Sequence, residues 1–284
     1  MSPNLPPSST NHAELDPTQT PPPTGPASSP NSTPALSVNW LRVLWFMLLA
    51  TTVSNIARFN LFGVQTWLEQ LPSGLNIFAM VFAEGVGIFL AAIIARRMLA
   101  AHRPFPMAFL GQFPHIAVAM AAIAIVLLAL VGVENPYHLE PHVYGIIAGA
   151  GTLMYCIMEE YGWRGYLQTE LSALAAKLKY VLVGSCWYLW HLTFLTDASL
   201  QDNLFFLGMM IFGSWGIGQV AEATKSILVC ACFHLTIQIM MFNALIRNGI
   251  SLQEKLLILA MALTCYVALV KRWERQVAND AAKG

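Results

Sequence analysis

Long apolar stretches, broken by short polar segments, set the architecture of this chain before any single residue is considered. A spanning helix needs about 20 mainly apolar residues. Stretches that meet this pattern lie at 39–58, 75–95, 113–133, 143–160, 180–196, 204–221, 226–246 and 254–271. They predict an all-α, polytopic membrane protein of about eight transmembrane helices. The fourth and fifth stretches are short, and both carry polar residues. Residues 1–37 have a different character: rich in Pro, Ser, Thr and Asn, with the run Pro21-Pro22-Pro23. Such a segment buries too little apolar surface to fold by itself, so it reads as a disordered tail. It also lacks the central apolar run of a secretory signal. The predicted domains are therefore the tail, a helical membrane domain over 38–275 with its motif core at 143–246, and a short tail over 276–284.

Composition agrees with the pattern. The chain is 56% hydrophobic and only 11% charged, against about 25% charged residues in ordinary soluble domains. Net charge is zero, and no basic patch points to nucleic acid. The five cysteines, Cys156, Cys186, Cys230, Cys232 and Cys265, all fall in apolar runs. They read as small buried residues and not as a disulfide framework. Cys230 and Cys232, two apart, point to nearly opposite sides of a helix and do not suit a shared metal.

Loop charge orients the helices. Arg96, Arg97 and Arg103 follow the second stretch, Lys177 and Lys179 precede the fifth, Lys225 precedes the seventh, and Lys271, Arg272 and Arg275 follow the eighth. With eight spans all these clusters fall on one side, which the positive-inside rule makes cytoplasmic. Glu134 and Glu140 fall on the other, while Arg58 and Arg247 are single exceptions. Both termini are expected in the cytoplasm.

Three stretches carry chemistry. The fourth ends in Glu159 and Glu160, with Arg164 in the next turn. A charge near a bilayer centre costs roughly 2.5–3.5 kcal/mol on insertion scales, so such residues are rare there and mark functional sites. Glu160 and Arg164, four apart, share a helix face and can pair. Glu159 is rotated by about 100° and faces another direction. The fifth stretch holds Trp187 and His191 one turn apart, and the seventh holds His234 and Gln238 one turn apart. His191 and His234 with one of the two carboxylates are a ligand set that catalytic zinc accepts, and the second carboxylate would then serve as general base. Zinc would supply hydroxide at neutral pH. A glutamate beside two histidines can also activate water without metal, and both routes lead to hydrolysis.

Each feature has a plainer reading. A single histidine in a membrane helix commonly bonds one helix to another, and Glu160–Arg164 can be a structural ion pair. Trp163, Trp187 and Trp190 read as packing or interfacial anchors. Glu84 is a further carboxylate in the second stretch, and His115 opens the third. His12, His102, His138 and His142 fall in the tail or in loops. There is no H-E-x-x-H, G-x-S-x-G or P-loop motif.

The strings E-E-Y-G-W-R-G-Y-L, W-Y-L-W-H and F-H-L-T-I-Q, in this order, resemble the CPBP (ABI) family of intramembrane proteases, which includes the type II CAAX prenyl endopeptidases. The family pattern is E-E-x-x-x-R, F-x-x-x-H and H-x-x-x-N on three separate helices. The resemblance covers residues 143–246. Trp187 stands where phenylalanine is usual, and Gln238 where asparagine is usual. By resemblance, Glu159 activates water, and Glu160 with Arg164 organises the site. His191 and His234 bind metal or position water and the oxyanion, and Gln238 assists. The resemblance leaves both zinc and a metal-free glutamate open. It implies a membrane-associated protein or lipidated peptide as substrate, such as a prenylated C-a-a-X tail reached through the lipid bilayer. Two other readings compete: a non-catalytic maturation or immunity factor of the same fold, and a proton-coupled transporter. The halves show no internal repeat, and the polar residues cluster instead of being mirrored, which counts against a transporter. Oligomeric state leaves no trace in the sequence.

Overall fold

A computed structural model describes residues 37–72, 75–98, 106–191, 199–241, 243 and 245–283. The predicted tail up to Leu36, His12, His102, Arg103, the end of the fifth stretch at 192–196 and the side chain of Glu84 lie outside the described residues.

Among the described residues eight principal helices follow in order: α1 (Trp40–Arg58), α2 (Leu75–Met98), α3 (Pro114–Val131), α4 (Pro141–Glu160), α5 (Ala176–Trp190), α6 (Leu200–Thr224), α7 (Ile227–Met241) and α8 (Leu252–Ala281). Their starts carry the expected chemistry. Asn39, Ser199 and Ser251 cap α1, α6 and α8 with their side chains, satisfying N–H groups that the first turn leaves unpaired. Proline opens α3 and α4, where its missing N–H costs nothing. Glu140 caps α4 by accepting the Val143 N–H at 2.9 Å, and this bond holds its carboxyl below the usual range.

Six helical segments among the described residues are long and apolar enough to cross a membrane. They are α1 to α4, α6 and α8. The other two, α5 and α7, have 15 residues each, and the polar residues of interest sit on them. Shortness suits their place in the bundle. In α7 every residue from Ile227 to Cys232 is buried, so this helix meets protein on all sides. It also joins two hydrophobic clusters, one around α3, α4 and α8 through Val229 and Leu235, the other around α1, α2, α5 and α6 through Ile227 and Cys230. The segment predicted as a C-terminal tail begins within α8, which continues to Ala281.

Cross-ties show which helix ends lie together. Ala108, before α3, exchanges backbone bonds with Lys225 and Ile227 at the α6–α7 turn. Arg42 of α1 pairs with Glu170 beyond α4, and Lys179 of α5 pairs with Glu222 of α6. At the opposite ends, the Glu134 N–H donates to the carbonyl of Gly249 in the α7–α8 connection. Tyr188 of α5 donates to Asn203 of α6 at 2.7 Å. Each tie joins ends that an eight-pass order places on one side. Arg58, an exception in the charge pattern, lies 3.9 Å above the Trp190 ring and donates to its carbonyl at 2.9 Å.

Candidate active site

The site grows from an irregularity in its own helix. After Glu160 the chain continues as a π-helical turn over Tyr161–Leu167 before closing with Gln168–Glu170. Such wider turns within α-helices are rare and concentrate at functional sites. Here the turn packs closely on α2: a Cβ at Gly162 would come within 2.6 Å of Ile88 Cγ1. Only glycine allows that approach. The turn leaves Trp163 and Arg164 wholly buried, on the same helical segment as the two glutamates.

Glu159 and Glu160 are both fully buried, and their environments differ. Glu160 Oε1 accepts from Arg164 Nη1 at 2.9 Å, so the pair read from the sequence is present. His234 Nδ1 also lies 2.9 Å from Glu160 Oε1, but off the line of a hydrogen bond. Removing one member of such a buried pair costs about 3–5 kcal/mol, because the other charge is left unpaired.

Glu159 is held otherwise. Its Oε2 accepts from two indoles, Trp163 Nε1 at 3.1 Å and Trp187 Nε1 at 2.9 Å. Its Oε1 is buried and has no hydrogen-bond partner among the described residues. This corrects the expectation that Trp163 and Trp187 only pack or anchor, and it gives Glu159 a partner on its own helix. Trp163 stands at the same four-residue spacing that links Glu160 to Arg164, and a buried indole N–H normally finds an acceptor. That spacing was the signal available in the sequence.

The histidines also fall differently from expectation. His234 lies beside Glu160, not Glu159, and its Nε2 is 3.2 Å from Gln238 Nε2. With the amide nitrogen donating, the neutral ring carries its own proton on Nδ1, the atom facing Glu160. His191 ends α5, half-buried, with Nδ1 2.9 Å from the Trp187 carbonyl. A carbonyl only accepts, so Nδ1 holds the proton of the neutral ring. Thus Trp187, and not His191, is the α5 residue that touches Glu159. The Trp187 ring also meets His234 edge-on at 4.9 Å and lies 4.8 Å from the Arg164 guanidinium carbon.

A zinc ligand set requires three converging protein donors. Among the described residues no three His, Cys, Asp or Glu side chains are placed to hold a metal. Glu159 Oε2 is committed to two indoles and His191 Nδ1 to a carbonyl, so only Glu159 Oε1 and the other His191 nitrogen would serve as donors. The set Glu159, His191 and His234 is not gathered around one point in this arrangement. All five cysteines are free thiols.

Two features stand around this core. Asn243, beyond α7, is buried and donates to Thr152 Oγ1 of α4, a tie with no periodic signature in the sequence. On the α6–α7–α8 side lies an apolar cavity of about 570 Å³, walled by Met210, Phe212, Gly216, Ile237 and Leu263 together with Trp187.

The chemistry so assembled is a desolvated carboxylate with one oxygen fixed, flanked by a second carboxylate, a guanidinium, two imidazoles and an amide. No curated protein matches the chain. Residues 140–240, from the N-cap of α4 into α7, match a family described as type II CAAX prenyl endopeptidase, Rce1-like. This segment, which carries every residue of the site, is similar to the CAAX-type intramembrane proteases of the CPBP family.

Proposed function

We propose that the protein is an intramembrane endopeptidase in which Glu159 activates the attacking water. One observation carries this reading: Glu159 Oε2 is fixed by two indole N–H groups while Oε1, equally buried, has no hydrogen-bond partner among the described residues. A general base must be positioned and must keep a lone pair for the proton it takes. Water at Oε1 would give a proton to the carboxylate as its oxygen bonds to the scissile carbonyl carbon. The C–N bond then breaks, and the proton passes to the leaving amine. Oε2 stays in place throughout, so the base needs no reorganisation.

The remaining residues take supporting parts. Arg164 neutralises Glu160 and keeps it from competing for the proton. His191, one turn beyond Trp187 on the same helix, helps orient water. The Gln238 amide, held by His234 through one N–H, has a second N–H to offer the developing oxyanion, a large term when such donors are preorganised. No step runs through a metal. The substrate is a membrane-associated protein or lipidated peptide, with prenylated C-a-a-X tails as the class the family relationship favours. Its apolar group occupies the cavity walled in part by Trp187. A non-catalytic maturation factor would need neither the fixed oxygen nor the cavity beside it.

The test is cleavage of a farnesylated C-a-a-X peptide by the purified protein in liposomes containing ¹⁸O-water. Hydrolysis puts one ¹⁸O into the new carboxyl group of the product. An unchanged peptide would overturn the reading for this substrate class.

A further inference from the structure

Trp187 belongs to two structures at once. On its pyrrole edge, Nε1–H donates to Glu159 Oε2 at 2.9 Å. Its benzene edge faces α6: a Cβ at Gly213 would lie 3.7 Å from Cζ3. The same residue forms part of the wall of the apolar cavity. One rigid, planar side chain therefore touches both the cavity and the carboxylate.

The ring is also confined. His234 meets it edge-on at 4.9 Å, and the Arg164 guanidinium carbon is 4.8 Å from its centre. A group entering the cavity packs against the benzene edge, and any tilt of the indole is felt at Nε1. The pyrrole and benzene rings cannot move independently. Phenylalanine, usual at this position in the family, has no N–H and cannot make this link.

We infer that Trp187 is a positioning residue that couples occupancy of the apolar cavity to the setting of the Glu159 carboxylate. The inference rests on the reading of Glu159 as the base. It makes the substrate's apolar group act on turnover as well as on binding. Binding energy from a remote part of a substrate raises kcat only when it is spent at the reacting centre, and the indole supplies the mechanical route.

The experiment compares two peptides of one sequence, with either a farnesyl or a methyl group on the cysteine sulfur. kcat and KM are measured separately for the parent, Trp187→Phe and Gly216→Leu in phosphatidylcholine liposomes. The parent is expected to turn over the farnesyl peptide with a kcat about tenfold or more above the methyl peptide. In Trp187→Phe the two kcat values should converge to within about twofold, while the KM advantage of the farnesyl peptide persists. Gly216→Leu fills the cavity from a position whose Cβ meets nothing within 4 Å. It leaves the indole donor intact and should also reduce the kcat advantage.

Three results would overturn the inference. One is a parental advantage confined to KM. Another is a Trp187→Phe variant slowed equally on both peptides. The third is a Gly216→Leu variant with the parental kcat ratio, and this decides the matter alone if Trp187→Phe does not fold. Absence of any cleavage by the parent would instead overturn the peptidase reading, and the inference with it.

Discussion

Arg42 Nη2 lies 2.9 Å from Glu170 Oε1, with both side chains almost wholly buried. The pair ties α1, which the family match does not reach, to the end of the segment that carries Glu159 and Glu160. Removing one partner leaves a buried charge. Arg42→Met and Glu170→Met are each expected to cost about 3–5 kcal/mol of stability, and the double variant to recover most of it. Thermal unfolding in detergent of the three variants checks this. Single variants as stable as the parent would show that the pair contributes nothing.

Much of this protein was legible in its pattern, for reasons that differ by residue. The principal helices follow from apolar runs, and Glu160–Arg164 from the four-residue period of a helix face. The partners of Glu159 were less accessible. Tryptophan in a membrane sequence reads as an anchor, and nothing local shows that the Trp187 indole crosses from α5 to the carboxylate. The π-helical turn has no period that distinguishes it from an ordinary turn in Y-G-W-R-G-Y-L. His234 was expected beside Glu159 because both are functional types; in the fold, α7 presents it to Glu160. Arg42 and Glu170 lie at helix ends, where charges normally face water, so their burial together depends on packing that only the assembled bundle reveals.

Gln238 lies four residues beyond His234, with its amide nitrogen 3.2 Å from the ring Nε2. Asparagine would restore the family pattern H-x-x-x-N but is one methylene shorter. In this chain the shorter amide would withdraw from the imidazole. Gln238→Asn is expected to lower kcat by about tenfold, the scale of one lost hydrogen bond, with little change in thermal midpoint. Steady-state kinetics with a melting curve checks it. A kcat equal to the parent's would mean the longer side chain has no part in the site.

The cross-ties predict sidedness. Arg275 lies beyond the middle of α8 and Asn248 in the α7–α8 connection, both exposed. With positive charge on the cytoplasmic side, Arg275→Cys should react with an impermeant maleimide only in inside-out vesicles, and Asn248→Cys only in right-side-out vesicles. Equal labelling of both from one side would break the eight-pass order.

The central claim is that Glu159 Oε1 takes the proton of the attacking water. Glu159→Gln tests it with little disturbance, because the amide oxygen can still accept from Trp163 and Trp187 while the amide nitrogen cannot accept a proton. The decisive measurement is kcat of Glu159→Gln against the parent on a farnesylated C-a-a-X peptide in liposomes, with thermal unfolding of both. The account predicts a loss of about 10²-fold or more in kcat with an unchanged melting temperature. A variant that folds like the parent and keeps its kcat to within a few-fold would contradict it.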